Sequence, residues 1–184
     1  MKKSFLFSLT CIVCLTVAQL DSFAQYEKGD IILNPGLGLG YWYGGGSGIA
    51  VGFCINAEFS ITDDIAVGPY FAYTHKNYNY GSVINGDYNY NFIDIGARGS
   101  YHFARLLNVN NDKFDPYAGA FIGFVSSSGN ADPIYNGYYT SYGSRVQAGV
   151  FAGARYYFSD KFAAFGEVGA GLHPVFIGVT FKLK

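Results

Sequence analysis

From residue 31 to the end, apolar side chains recur at every second position in runs of about ten, separated by Gly, Asn, Asp and Ser. A period of two marks a strand with two unlike faces, so each run is read as a β-strand and its faces are assigned by parity. In residues 31–43, Ile31, Leu33, Pro35, Leu37, Leu39, Tyr41 and Tyr43 share one face, and Asn34, Gly36, Gly38, Gly40 and Trp42 the other. Pro35 gives up one ladder hydrogen bond there. Residues 49–60 alternate most cleanly: Ile49, Val51, Phe53, Ile55, Ala57 and Phe59 against Gly52, Cys54, Asn56, Glu58 and Ser60. Residues 65–76 set Ile65, Val67, Phe71 and Tyr73 against Ala66, Gly68, Ala72, Thr74 and Lys76. Residues 91–103 set Ile93, Ile95, Ala97, Tyr101 and Phe103 against Asp94, Gly96, Arg98, Ser100 and His102. In 117–125 bulky and small residues occupy both parities, so no faces are assigned. Residues 145–158 place Val146, Ala148, Val150, Ala152, Tyr156 and Phe158 opposite Arg145, Gln147, Gly149, Gly153 and Arg155. Two further strands, 162–171 and 175–183, complete a set of eight; the last carries Val175, Ile177, Val179, Phe181 and Leu183 on its apolar face.

The connections alternate in length. Loops near 44–48, 77–90 and 126–143 are long and rich in Gly, Asn, Ser and Tyr, whereas 61–64 and 159–161 are tight turns and only His173-Pro174 separates the last two strands. No stretch after residue 25 runs 18 apolar residues without interruption, so helical membrane spans are excluded. A sheet that exposes an apolar face to lipid must close on itself to pair its backbone. The pattern therefore predicts an all-β fold, an eight-stranded antiparallel up-and-down transmembrane barrel, whose strands match the roughly 9–11 residues a tilted span requires. Val51, Phe53, Ile55, Val67, Phe71, Ile95, Val150 and Val179 are expected to face lipid. Phe59, Tyr101, Phe103, Tyr156, Phe158 and Phe181 beside the turns, and Tyr41, Tyr43 and Tyr73 beside the loops, are expected to form two aromatic girdles.

Composition supports a solvent other than water: aromatic residues make up 19% and charged residues only 14%, against the usual quarter or so. The segment before the strands is of another kind. Lys2 and Lys3 precede an apolar run from Phe5 to Val17, and Ser22-Phe23-Ala24 is a small-x-small site, so 1–24 reads as a signal peptide cleaved after Ala24 and 25–184 as the barrel domain. Cys11 and Cys14 follow Thr10 and Val13, unlike lipid-anchoring cysteines, which follow Gly, Ala or Ser. Losing Lys2, Lys3 and Asp21 moves the formal charge from −1 to −2. No basic stripe exists to neutralise phosphates, so no nucleic-acid partner is expected. Cys54 alone survives cleavage, which excludes an intramolecular disulfide.

The stretches Lys28-Gly29-Asp30-Ile31-Ile32, Ile61-Thr62-Asp63-Asp64-Ile65-Ala66-Val67-Gly68, Gly96-Ala97-Arg98-Gly99-Ser100-Tyr101 and Ile177-Gly178-Val179-Thr180-Phe181 resemble the small outer-membrane β-barrel proteins common in Bacteroidetes, which are distantly similar to OmpA and OmpX barrels. The resemblance spans the mature chain and rests on texture, with no catalytic motif. It implies residence in the outer membrane after secretion across the inner one, with outer-membrane lipids and the barrel insertion machinery as partners. Barrels of this group usually end in an aromatic residue read by that machinery. Here Phe181-Lys182-Leu183-Lys184 ends in lysine, and Leu183 has the parity to substitute.

Candidate chemistry is sparse. His75 and His102 stand near strand ends and His173 in a turn, and no His or Cys pair has zinc-ligand spacing, so neither a metal nor a cofactor is expected. Gly36-Leu37-Gly38-Leu39-Gly40 and Gly44-Gly45-Gly46 open no helix and precede no Lys, unlike phosphate loops. Lipid-A deacylases among outer-membrane barrels use a serine activated by a histidine. No His-x-Ser occurs here, and Ser100 and His102 face the lumen. The inner charges say more. Glu58, Arg98, Arg155 and Glu167 all fall within a few residues of the turn-side end of their strands, hence at similar height, and are expected to pair and plug the bore, with Asp94 and Lys76 extending the network upward. The expected function is non-enzymatic: a plugged barrel serving envelope integrity or surface interaction through its loops, the surface ligand unassigned. A narrow porin-like channel, a lipid-A-modifying enzyme and a soluble calyx-like barrel of inverted parity stay open as alternatives.

Overall fold

The computed structural model describes residues 26–40, 50–79, 87–109, 111–130, 144–171 and 173–184. The segment 1–24 read as a signal peptide, Tyr41, Trp42, Tyr43 and most of the three long loops lie outside them. Eight strands follow one another in order: β1 Ile31–Leu39, β2 Val51–Ser60, β3 Ile65–Asn79, β4 Asp87–His102, β5 Phe114–Asn130, β6 Arg145–Ser159, β7 Phe162–Gly169 and β8 Val175–Lys182. Each pairs antiparallel with the next and β8 returns to β1, closing the barrel. Closure leaves no unpaired sheet edge. It also explains why the faces are so unlike, since one looks out of the barrel and the other into a narrow bore lined by side chains.

The two faces follow the parity. All eight residues expected to face lipid lie on the outer surface, from Val150 at 65% exposed and Ile95 at 52% to the half-buried Ile55 and Val179. Inside, Asn34, Glu58, Thr74, Asp94, Arg98, His102, Arg155 and Thr180 are buried. Oil outside and charge inside invert the order of a water-soluble protein, in which buried ionised residues are the exception. The missing donor of Pro35 shows at the closing seam. There Ile32 and Leu33 face Lys182 and Phe181, the ladder skips Asn34 and Pro35, and it resumes with Gly36 opposite Gly178.

Several expectations need correction. β3 runs to Asn79 and β4 begins at Asp87, so much of the stretch read as the loop 77–90 is strand. Polar Asn and Tyr pairs there continue the ladder beyond the apolar belt, where period-two hydrophobicity fades but backbone pairing does not. Tyr73 therefore stands within β3 and not beside a loop, and its hydroxyl donates to Asn91 Oδ1 at 2.9 Å. His75 is likewise within β3, its ring on the same Asn91 oxygen at 2.8 Å. β5 is longer than 117–125 at both ends and takes part of the loop placed at 126–143. Its faces are now resolved: Asp115, Tyr117, Phe121 and Val125 point inward, and Phe114, Ile122 and Phe124 outward.

Candidate functional site: the barrel lumen

In the half of the lumen next to the tight turns, inward positions of neighbouring strands are filled by charged and amide side chains. Arg155 on β6 is fully buried, and its Nη2 donates to Glu58 Oε1 of β2 at 2.5 Å. Its Nη1 lies 3.7 Å from Asp115 Oδ2 of β5. Glu58 Oε1 also accepts from Asn34 Nδ2 at 3.1 Å, and Asn34 Oδ1 accepts from Thr180 Oγ1 at 2.7 Å, which ties β1, β2 and β8 across the seam. One layer up, Arg98 of β4 and Glu167 of β7 form a two-pronged pair across the bore, Nη2 to Oε1 at 2.7 Å and Nη1 to Oε2 at 3.1 Å. This parallel geometry is the strong form of an arginine–carboxylate contact.

The four charges named from the sequence thus form two pairs, Arg155 with Glu58 and Arg98 with Glu167. Tyr117 joins them: its hydroxyl donates to Glu167 Oε1 at 2.9 Å while the Arg155 guanidinium sits 4.5 Å from its ring centre. Tyr117 lies on the strand whose parity could not be read, and Asp115 lies before residue 117, where that strand was expected to start, so sequence reasoning missed both. Asp94 is set apart from the pairs; Tyr70 donates its hydroxyl at 3.0 Å and Gln147 donates through Nε2. The side chain of Lys76 lies outside the described residues.

His102 is an integral part of the turn-side layer. Its Nδ1 is 2.8 Å from Asp115 Oδ2, its Nε2 3.3 Å from Ser100 Oγ and 3.7 Å from Glu58 Oε2. Ser100, His102 and Asp115 are in the order of a nucleophile, a base and an orienting acid. The surroundings do not suit catalysis. All three are buried, Glu58 competes with the serine for the same ring nitrogen, and Tyr26 stacks face to face on the imidazole at 3.7 Å and 11°.

Tyr26 belongs to the segment that closes the turn end of the bore. Arg105 Nη2 donates to its carbonyl at 3.2 Å, Gly29 N–H to the Ser60 carbonyl at 2.9 Å, and Lys28 N–H to Asp63 Oδ1 at 2.9 Å. Lys182 meets Asp30 at 2.7 Å, so the penultimate cation turns inward while Phe181 and Leu183 stay on the outer face. Burial pushes the Tyr26 phenol above its ordinary pKa. Outside the bore, the hydrogen bond from Arg105 holds the Asp63 carboxyl below its ordinary range.

At the opposite end, the short β7–β8 connection drops His173 into the bore. Its Nδ1–H donates to the Gly40 carbonyl at 2.8 Å and its Nε2 accepts from Thr74 Oγ1 at 2.6 Å. Gly38 and Gly52 allow this, because a Cβ on either would collide with the imidazole ring. Burial holds the His173 pKa below its ordinary value, against the raising effect of the Gly40 carbonyl. Between this cap and the Arg98–Glu167 layer is a chamber of about 90 Å³, lined by Asp94 and by Tyr70, Phe121, Phe151 and Phe176 among others.

A closed eight-stranded antiparallel barrel with an apolar outer belt and an ion-paired interior is the architecture of outer-membrane barrel proteins. Solved structures of that class superpose over most of this chain. The outer membrane protein OprG of Pseudomonas aeruginosa matches with a TM-score of 0.62 at 11% identity, over 87% of this chain and 98% of its own. Neisserial surface protein A gives 0.58 at 18% identity, over 85% and 98%. E. coli outer membrane protein W gives 0.50 at 18% identity, over 86% and 100%. At such identities the likeness is one of fold. No protein-family model matches the sequence, and no curated protein matches it significantly.

Proposed function

We propose that the chain is an integral outer-membrane protein whose barrel is plugged by its own side chains, serving envelope integrity or surface interaction through the loops opposite the tight turns. One observation carries this reading: every strand presents large apolar side chains on the outer surface of the barrel, while the Glu58–Arg155 and Arg98–Glu167 pairs lie within it. Water could not stabilise that outer surface; a bilayer hydrocarbon core would. Tyr26, the Glu58–Arg155 and Arg98–Glu167 layers and His173 stand at successive heights in the bore and supply the plug. Outer-membrane lipids and the barrel insertion machinery are the partners this implies, and a bacterium of the Bacteroidetes type the source. The reading is non-enzymatic.

The test uses the full chain expressed with its leader. The reading expects the protein in the outer-membrane fraction, soluble only in detergent, and without steady conductance when incorporated into planar bilayers. A protein that stays soluble without detergent overturns the membrane assignment. Stable unitary conductance replaces the plug with a narrow channel.

A further inference from the structure

We propose that the chamber in the loop half of the lumen binds a small organic cation, an ammonium or guanidinium group held by Asp94 against aromatic walls. The inference rests on the barrel being the membrane protein described above but goes beyond the plug. Asp94 is 2% exposed, and its partners are two neutral donors, the Tyr70 hydroxyl and the Gln147 amide. None of the ion pairs formed among the described residues includes it, whereas Glu58, Asp115 and Glu167 each meet a guanidinium within 4 Å. A buried carboxylate is costly unless a cation meets it, and a positive ligand in the chamber would do so.

The chamber supplies room at the place where charge is short. Its volume of about 90 Å³ is several times the roughly 10–15 Å³ needed for one water, enough for a small ligand headgroup. Its walls select the kind of cation. Tyr70 and Phe121 meet edge to face with ring centres 5.6 Å apart, and Phe176 closes another side. Aromatic faces attract organic cations, while a hard metal ion requires several oxygen ligands. Among the described residues no group of three or more His, Cys, Asp or Glu is placed to hold a metal. Arg98 also borders the chamber, but both its terminal nitrogens are engaged by Glu167 and its face lies 3.8 Å from the Phe151 ring centre, so it does not compete for Asp94. An anionic ligand would meet Asp94 and Glu167 and be repelled. Gly169, Ala170 and Gly171 belong to the lining on its loop side.

The experiment is calorimetric titration of the full-length mature barrel in detergent micelles at low ionic strength, with methylammonium and guanidinium as probes and methanol as the neutral control. Saturable binding of at least one cation and none of methanol is expected, with affinity at least tenfold lower in Asp94→Asn and unchanged in Asp160→Asn, a change at an exposed acid of the β6–β7 turn. Ala72→Val, which narrows the chamber opposite Asp94 in the β3–β4 ladder, is expected to weaken binding similarly and decides the matter if Asp94→Asn does not fold. No saturable binding to wild type, or binding indifferent to Asp94→Asn and Ala72→Val, overturns the site. Heat-modifiable electrophoretic mobility of the same samples reports the folded barrel, so loss of the cation site is distinguishable from loss of the barrel itself.

Discussion

The two halves of the lumen solve the same packing problem with different materials. Next to the tight turns, two arginines meet three acids, and Asn34, Tyr117 and His102 hydrogen-bond to those acids, so side chains from β1, β2, β4, β5, β6 and β8 meet in the bore. Next to the long loops, glycine, alanine and phenylalanine line the wall, one acid is held by neutral donors, and a chamber is left over. The difference teaches that an inverted interior need not be uniform. Ion pairs draw long side chains together and fill the bore, whereas a bore lined by rings and glycines keeps space.

The largest expected effect is in the paired half. Arg155→Met removes the cation shared by Glu58 and Asp115 and should destabilise by about 3–5 kcal/mol, read as a shift of the urea unfolding midpoint in lipid vesicles. A change below about 1 kcal/mol would mean that the layer is wet and that the two halves differ less than their contacts suggest.

Outside the barrel no such division is expected. Val150→Arg, in the middle of the belt, should cost about 2–4 kcal/mol, and Val67→Arg, close to the β2–β3 turn, about 0–1 kcal/mol. Equal and negligible effects in vesicles would show that the belt does not face hydrocarbon.

Tyr26→Ala takes the ring off His102 and opens the floor of the paired half. A loss of roughly 1–3 kcal/mol is expected, with faster cleavage of the N-terminal segment by added protease. If neither changes, the floor is closed by something other than Tyr26.

The smallest effect belongs to the loop half. The pKa of His173 is lower in the folded protein than in the unfolded chain, so the unfolded state binds more protons as pH falls below the ordinary value of about 6.5. The contribution of His173 is therefore complete above that pH and declines as pH drops through the folded value. Melting curves at pH 8 and pH 5 should show a wild-type decrease that is smaller in His173→Asn. An equal decrease in both would remove His173 from the account.

The sequence alone determined the strand count, the closure and the face of nearly every residue in β1–β4, β6 and β8, because an apolar outer wall and a narrow polar bore place opposite chemistries at alternate positions. Strand extent was legible only within the belt; beyond it the Asn and Tyr of β3 and β4 pair as well as Val and Ile do, and composition reads them as loop. In β5, Gly119 and Gly123 on the inner face and Ala118 and Ala120 on the outer one erased the contrast that parity needs. Parity also showed which charges point inward, without showing which acid meets which arginine. That depends on barrel stagger, which brings Arg98 to Glu167 and Arg155 to Glu58 across 69 and 97 residues of chain. The same stagger, settled only when β8 closes on β1, brings Tyr26 onto His102 and leaves Asp94 facing a chamber, since no local pattern encodes the height at which distant strands meet.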